Sequence, residues 1–246
     1  MSRLLGLVGA PLPGRDVLSV FYSLCQEGNP DGWGISGYSA RRAVYFGRQA
    51  ESAGENREAF DRAVERTVKT QSPVLIAHFR KSPDETREIG KTQPFHCRDW
   101  VFAHDGELFN APELPLQEAR LQGGSDSERF GLWMLEHVAS ALNTTQALAA
   151  TLQNHRSNLV FSSLNFLMSD GRTLWAYRDV GDGQLAKNES PDERGEIYSL
   201  FAAQVGPRVV VCSEPLPALS QTWTPLNTKT LVAFPSDGSA PQAIKI

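Results

Sequence analysis

The sequence predicts an α+β layered fold in which two β-sheets are covered by helices. Three observations carry this reading: strand-like runs near the start, amphipathic helices concentrated in the middle, and a return to strands from Leu159 onward. At 246 residues the chain can bury a substantial core. It contains neither an internal repeat nor a low-complexity tract, so residues 1–246 read as a single domain.

The elements follow in order. Leu4 to Gly9 is a buried-strand run. Asp16 is placed to cap a helix whose face is Val17, Val20, Phe21 and Leu24, at spacings of three and four. Asn29-Pro-Asp-Gly-Trp-Gly34 is a turn cluster that feeds strands at Ile35 to Tyr38 and Ala43 to Phe46. Glu55 to Thr70 is a charged amphipathic helix with Phe60, Val64 and Val68 as its apolar stripe. A buried strand, Pro73 to Phe79, ends on Arg80 and gives way to a polar loop, Lys81 to Thr92. The strand Trp100 to His104 ends on Asp105-Gly106. Ser125-Asp-Ser-Glu128 has the capping-box pattern and precedes a helix with Phe130, Trp133, Met134 and Val138 inward. An Ala- and Leu-rich helix spans Thr145 to Gln153. Strands are expected at Leu159–Met168, Thr173–Tyr177, Tyr198–Ala202, Arg208–Cys212 and Thr230–Phe234, with a long loop over Asp179 to Glu196.

Composition narrows the function. With 24 Lys+Arg against 28 Asp+Glu, the net charge of −4 excludes a strongly basic nucleic-acid footprint. Cys25, Cys97 and Cys212 have no paired spacing, which argues against a disulfide framework and a zinc site and suits a reducing compartment. The run Met1 to Ala10 has one Arg and two glycines, so it reads as a strand and not a signal peptide. The uncharged stretch Ser157 to Ser169 is too short to span a bilayer. A cytoplasmic protein without a metal or other cofactor is expected, with neither nucleic acid nor membrane as partner.

Candidate site residues gather at strand ends: Ser2, His78, Arg80, His104, Asp105, Gly106, and Asp126 at a helix start. Singly, each has a plain explanation. Asp126 suits the first turn of a helix, Gly106 a turn with positive φ, and the two histidines a core with satisfied ring nitrogens.

Their order and spacing are more telling. Met1-Ser-Arg-Leu-Leu-Gly6, Asp31-Gly-Trp-Gly34, Ala77-His-Phe-Arg80, Thr92-Gln-Pro-Phe95, Ala103-His-Asp-Gly106, Ser125-Asp-Ser-Glu128, Leu167-Met-Ser-Asp-Gly171 and Ser213-Glu-Pro-Leu216 run in one order along nearly the whole chain. In this the sequence resembles the class II glutamine amidotransferase domain, most of all its stand-alone YafJ-like branch. The resemblance implies an N-terminal-nucleophile (Ntn) hydrolase fold, a four-layer αββα sandwich of two stacked antiparallel sheets. It also implies roles. Ser2, exposed by removal of Met1, matches the nucleophile, with its own α-amine as general base. Arg80 matches the arginine that grips the glutamine α-carboxylate, and Asp126 the partner of the α-ammonium. Gly106 matches the oxyanion-hole glycine, with Asp105 beside it. Gln93 falls in the substrate-binding Thr-Gln-Pro-Phe segment. Lys81 to Thr92 matches a lid, and Trp33 and Gly34 match a packing segment beside the nucleophile.

Two positions depart from the family pattern. The family nucleophile is cysteine and here it is serine, whose hydroxyl is far harder to deprotonate than a thiol. Asp105 replaces an asparagine whose side-chain N–H donates to the oxyanion. An ionised aspartate has no such donor, and losing one costs about 3–4 kcal/mol; only a protonated Asp105 with a pKa raised by burial donates. Two functions follow. One is hydrolysis of glutamine or another γ-glutamyl amide through Ser2. The other is a catalytically silent glutamine-binding subunit, natural or made by a Cys-to-Ser exchange, that acts through a partner. Any ammonia acceptor is expected to be a separate synthase protein.

Overall fold

The computed structural model describes residues 2–9, 15–27, 29–116, 121–181 and 197–246. Strand β1 (Arg3–Gly9) is followed by helix α1 (Arg15–Tyr22), the hairpin of β2 (Trp33–Ser39) and β3 (Arg42–Gln49), and helix α2 (Arg57–Thr70). Strands β4 (Val74–Phe79), β5 (Phe95–Cys97) and β6 (Trp100–Asp105) precede helices α3 (Asp126–Val138) and α4 (Thr144–His155). The remainder is β7 (Asn165–Ser169), β8 (Thr173–Arg178), β9 (Phe201–Val205), β10 (Arg208–Cys212), β11 (Thr224–Pro225), β12 (Thr230–Pro235) and β13 (Gln242–Lys245).

Every strand pair is antiparallel, in two sheets. One is ordered β11-β9-β10-β1-β4-β2-β3, the other β13-β12-β8-β7-β6-β5. The period-2 alternation of strands sorts their side chains into layers. In β1, Leu4 and Val8 point between the sheets with Ile76, Ala103, Leu167 and Ala176. Leu5 and Leu7 point the other way, onto Val17 and Phe21 of α1 and Phe60 and Val64 of α2. The outer face of the second sheet buries Phe102, Phe166, Trp175 and Tyr177 against Phe130 and Met134 of α3 and Leu148 and Leu152 of α4. The result is the expected αββα sandwich.

Local signals mostly act as read. Asn56 caps α2 by accepting from Ala59 N at 3.1 Å, and the helix begins at Arg57, two residues after the expected start at Glu55. Ser125 caps α3 by accepting from Glu128 N at 3.1 Å. The Glu128 carboxylate turns instead to the N–H groups of Gln122, Gly123 and Gly124, closing the loop before the helix. Asp16 lies inside the first turn of α1, and α1 ends at Tyr22, so Leu24 is buried from a following 3₁₀ turn.

Three differences bear on boundaries. The strand expected from Leu159 begins only at Asn165, because residues 159–164 bond to loop partners instead: Phe109 N donates to Val160 O, Ser162 N to Glu107 O and Leu164 N to Asp179 O. The strand expected at Tyr198–Ala202 runs Phe201–Val205, and β5, β11 and β13 were not foreseen. These last are two to four residues long, too short for a periodic signal. Most of the loop expected over 179–196 lies outside the described residues.

Candidate active site

The site lies where the end of β4 meets the starts of β1 and α3 and the end of β6. Strand β1 pairs with β4 so that Arg3 stands opposite Phe79. Ser2 therefore lies beside the residues that follow β4. Its Oγ accepts from Lys81 N at 3.1 Å and lies 3.4 Å from Lys81 O. The Asp31–Gly34 segment passes alongside. Arg80 N donates to Gly32 O at 2.8 Å, and Asp31 Oδ2 accepts from Ser82 N at 2.8 Å. Trp33 is core packing as expected, edge-on to Phe60 at 5.2 Å. Gly34 is required by a close approach: a Cβ there would lie 2.3 Å from Gln93 O.

Ser2, Arg80, Gln93, Gly106 and Asp126 line one cavity of about 260 Å³. The Arg80 guanidinium is gripped by the loop that follows it. It donates to Ser82 Oγ at 2.8 Å, to Asp31 O at 3.3 Å, and to the carbonyl and hydroxyl of Thr86. Burial pulls its pKa down while Asp31, Asp84, Glu88 and Asp126 oppose that pull. Asp126, in the first turn of α3, accepts from Leu108 N on Oδ2 at 2.8 Å; among the described residues Oδ1 has only a long 3.5 Å contact from Ser127 Oγ. Lys81, Lys91 and Glu107 line the same cavity, and burial and the Asp126 charge raise the Glu107 pKa. The lining thus has cationic groups toward Arg80 and carboxylates toward Asp126.

Gly106 adopts φ +150, with Ser163 O 2.2 Å from where a Cβ would stand. Asp105 is buried and is not among the cavity-lining residues. The chain's amino-terminal charge and the Arg3 charge favour its ionised form. Burial outweighs both and pushes its pKa up to about 7.

Both ends of the Gln93 amide are occupied by the main chain of His104: Nε2 donates to His104 O at 3.0 Å, and Oε1 accepts from His104 N at 2.6 Å. The His104 ring is satisfied as expected. Its Nε2 lies 3.0 Å from Ser163 O, an acceptor, so Nε2 carries the proton and Nδ1 accepts from Ser127 Oγ at 3.0 Å. His78 differs from expectation: it is fully buried, and neither ring nitrogen has a hydrogen-bond partner among the described residues. Its neighbours across the sheet are Leu4 and Gly34, which offer no side-chain donor or acceptor. Burial, with the Arg80 charge, lowers its pKa to about 3, so the ring is neutral.

The sequence reading passed over Asp31, Ser82, Thr86 and Glu107 as individual site residues. Asp31 was visible within its motif; the others hold Arg80 or line the cavity only through tertiary contact. No group of three or more His, Cys, Asp or Glu among the described residues is arranged to hold a metal ion.

The family profile described as class-II glutamine amidotransferases matches residues 1–197. The chain belongs to this family. Among relatives, Escherichia coli K12 has a protein named "Putative glutamine amidotransferase YafJ", 27% identical over 91% of this chain and 93% of its own length. A Haemophilus influenzae relative of similar name is 24% identical over 83% of this chain and 73% of its own. Solved structures agree on the fold. A class-II domain protein from Silicibacter pomeroyi aligns over 99% of this chain and all of its own, with TM-score 0.65 at 19% identity. The glutamine phosphoribosylpyrophosphate amidotransferase of B. subtilis gives TM-score 0.69 at 17% identity over 99% of this chain. The present chain spans about half, 49%, of that larger enzyme. No helix among the described residues is long and apolar enough to cross a membrane.

Proposed function

We propose that this amidotransferase-family protein binds glutamine or a related γ-glutamyl amide and hydrolyses it through Ser2. The observation that carries the reading is the convergence of Ser2, Arg80, Gly106 and Asp126 on one cavity. The α-carboxylate of the substrate pairs with the planar Arg80 fork, and its α-ammonium with the Oδ1 edge of Asp126. These two contacts read a free amino-acid end and direct the γ-carbonyl toward Ser2. Removal of Met1 gives Ser2 an α-amine, which takes the Oγ proton as Oγ bonds to the γ-carbonyl carbon. The Gly106 N–H stabilises the oxyanion. The C–N bond then breaks, and the amine passes its proton to the departing ammonia or amine. Water, deprotonated by the same amine, cleaves the γ-glutamyl ester to release glutamate and restore Ser2. The ammonia is either released or taken by a separate acceptor protein. Loop 81–92, already wrapped on Arg80, serves as the lid.

The exchange of thiol for hydroxyl at Ser2, with a carboxylate at Asp105, favours one rival: a protein that binds glutamine but does not turn it over. Such a binder needs Arg80 and Asp126 but not the Ser2 amine. Intact mass of the purified protein comes first, and retained Met1 overturns the hydrolase reading. Ammonia release from glutamine is then compared for the wild type, Ser2→Ala, Ser2→Cys, and Ser2→Cys with Asp105→Asn. Turnover by the wild type that Ser2→Ala abolishes supports hydrolysis. Turnover that appears only in the double variant, with glutamine binding intact in the wild type, establishes the silent binder.

A further inference from the structure

We propose that Glu128 is a positioning residue for the substrate cavity: its carboxylate shapes the 122–124 loop into a seat for Gly90, and this seat fixes one wall of the cavity against another. The inference rests on the reading that the cavity takes glutamine, and it names what sets the spacing of the groups that would hold it.

The argument begins with where the carboxylate goes. Glu128 lies in the first turn of α3 and is buried. Its Oε1 accepts from Gln122 N at 2.6 Å, and its Oε2 accepts from Gly123 N and Gly124 N at 2.9 and 2.8 Å. Successive main-chain N–H groups turned toward one point form a concave anion site, and here the chain fills that site with its own side chain. The helix does not depend on it. Ser125 Oγ caps α3 through the Glu128 main-chain N–H, a bond that other side chains at position 128 would keep.

The loop shape permits a backbone-to-backbone contact with a distant segment. A Cβ on Gly123 would lie 2.2 Å from the carbonyl carbon and oxygen of Gly90 and 2.7 Å from Lys91 N. A Cβ on Gly90 would lie 2.9 Å from Gly123 Cα. Neither position has room for a side chain. Gly124 differs: it has φ +69 and open space where a Cβ would stand, so backbone conformation calls for glycine there. At Gly123 it is the contact that does.

Gly90 belongs to a short 3₁₀ turn, Ile89–Lys91, that is tied together locally. Thr92 Oγ1 donates to Glu88 O at 2.9 Å, Thr92 N to Ile89 O at 3.2 Å, and Lys91 Nζ pairs with Glu88 at 2.9 Å. A displaced Gly90 therefore carries Lys91 with it, and Lys91 lines the cavity. On the other side of the seat, Gly124 leads directly into Ser125 and Asp126, which line the same cavity. Glu128 is not among the lining residues. It acts through the loop, setting the Lys91 wall relative to the Asp126 wall.

The test uses the full chain as wild type, Glu128→Gln, Gly123→Ala and the double variant. Glutamine in place of Glu128 keeps the side-chain size but sets an amide N–H against a main-chain N–H. Hydrogen–deuterium exchange over residues 88–92 reads the seat, and titration calorimetry with glutamine reads the cavity. Each single variant is expected to exchange faster over 88–92 and to bind glutamine about 10–100-fold more weakly. The double variant should be no weaker than the worse single, because two changes at one contact are not additive. Asn143→Ala removes the α4 cap, where Asn143 Oδ1 accepts from Gln146 N at 3.1 Å, and controls for lost stability alone. It should move neither readout. Unchanged exchange over 88–92 in Glu128→Gln overturns the seat, even if Gly123→Ala fails to fold. Unchanged affinity, losses that add across the two sites, or losses that Asn143→Ala reproduces overturn the positioning role. A wild type that does not bind glutamine sinks the glutamine reading instead, and the exchange comparison still decides the seat.

Discussion

Replacing Gly106 by alanine tests the geometry of the site at its most constrained point. The new Cβ would stand 2.2 Å from the carbonyl oxygen of Ser163, 2.8 Å from its carbonyl carbon and 2.9 Å from its Cβ, where ordinary contact begins at 3.4 Å. Backbone φ is +150, a region that L side chains rarely occupy. The neighbour cannot swing away, because Ser163 O also takes the His104 ring proton and the adjoining 162 and 164 amides are bonded to Glu107 and Asp179. The conformational penalty is about 1–3 kcal/mol, and forcing atoms into a packed site adds about 1–3 kcal/mol. Gly106→Ala is thus expected to lose about 2–6 kcal/mol of stability, a fall of roughly 1–2 M in the urea midpoint. Relief of the clash moves the Gly106 N–H, so any glutamine hydrolysis falls about 10²–10³-fold under conditions where the variant is folded. Urea unfolding followed by fluorescence, with ammonia release measured at low urea, reads both. A midpoint unchanged from wild type refutes the steric argument. Full turnover by a destabilised variant refutes the role of Gly106 at the oxyanion.

Three further outcomes are expected. Arg80→Lys keeps the charge but loses the planar fork, so glutamine affinity by titration calorimetry falls about 10–100-fold; unchanged affinity removes Arg80 from substrate recognition. Gln93→Leu strips the His104 main chain of both amide partners and is expected to destabilise by about 2–5 kcal/mol in thermal or urea unfolding. In the chain that retains Met1, the Asp105 pKa of about 7 is raised above its unfolded value. The folded state then binds the extra proton, and stability falls as pH rises, by about 1.4 kcal/mol per pH unit between roughly pH 4 and 7. Asp105→Asn abolishes that slope, and a terminal Ser2 amine flattens it; a slope identical in all three proteins contradicts the assignment.

Much of this was legible in the residues. The apolar runs of β1 and β4 are local, as are the cap at Ser125 and the apolar stripes of α2 and α3, because backbone periodicity and capping depend on near neighbours. Ser2, Arg80, Gly106 and Asp126 could be picked out because strand ends and helix starts are visible in sequence. The pairing of β1 with β4 and β10 could not be, nor could the failure of residues 159–164 to form a strand. Both depend on partners that lie far away along the chain.

The sequence alone determined the layered class, the family motifs and the chemical identity of the candidate groups. Tertiary structure decided how those groups are used. It engaged the Gln93 amide with the His104 main chain, left His78 without a ring partner among the described residues, and wrapped Ser82 and Thr86 onto Arg80. It also buried Asp105 outside the cavity lining. The reason is physical: a hydrogen bond or a desolvated charge is set by which distant atoms share a dry space, and no local pattern of residues encodes that distance.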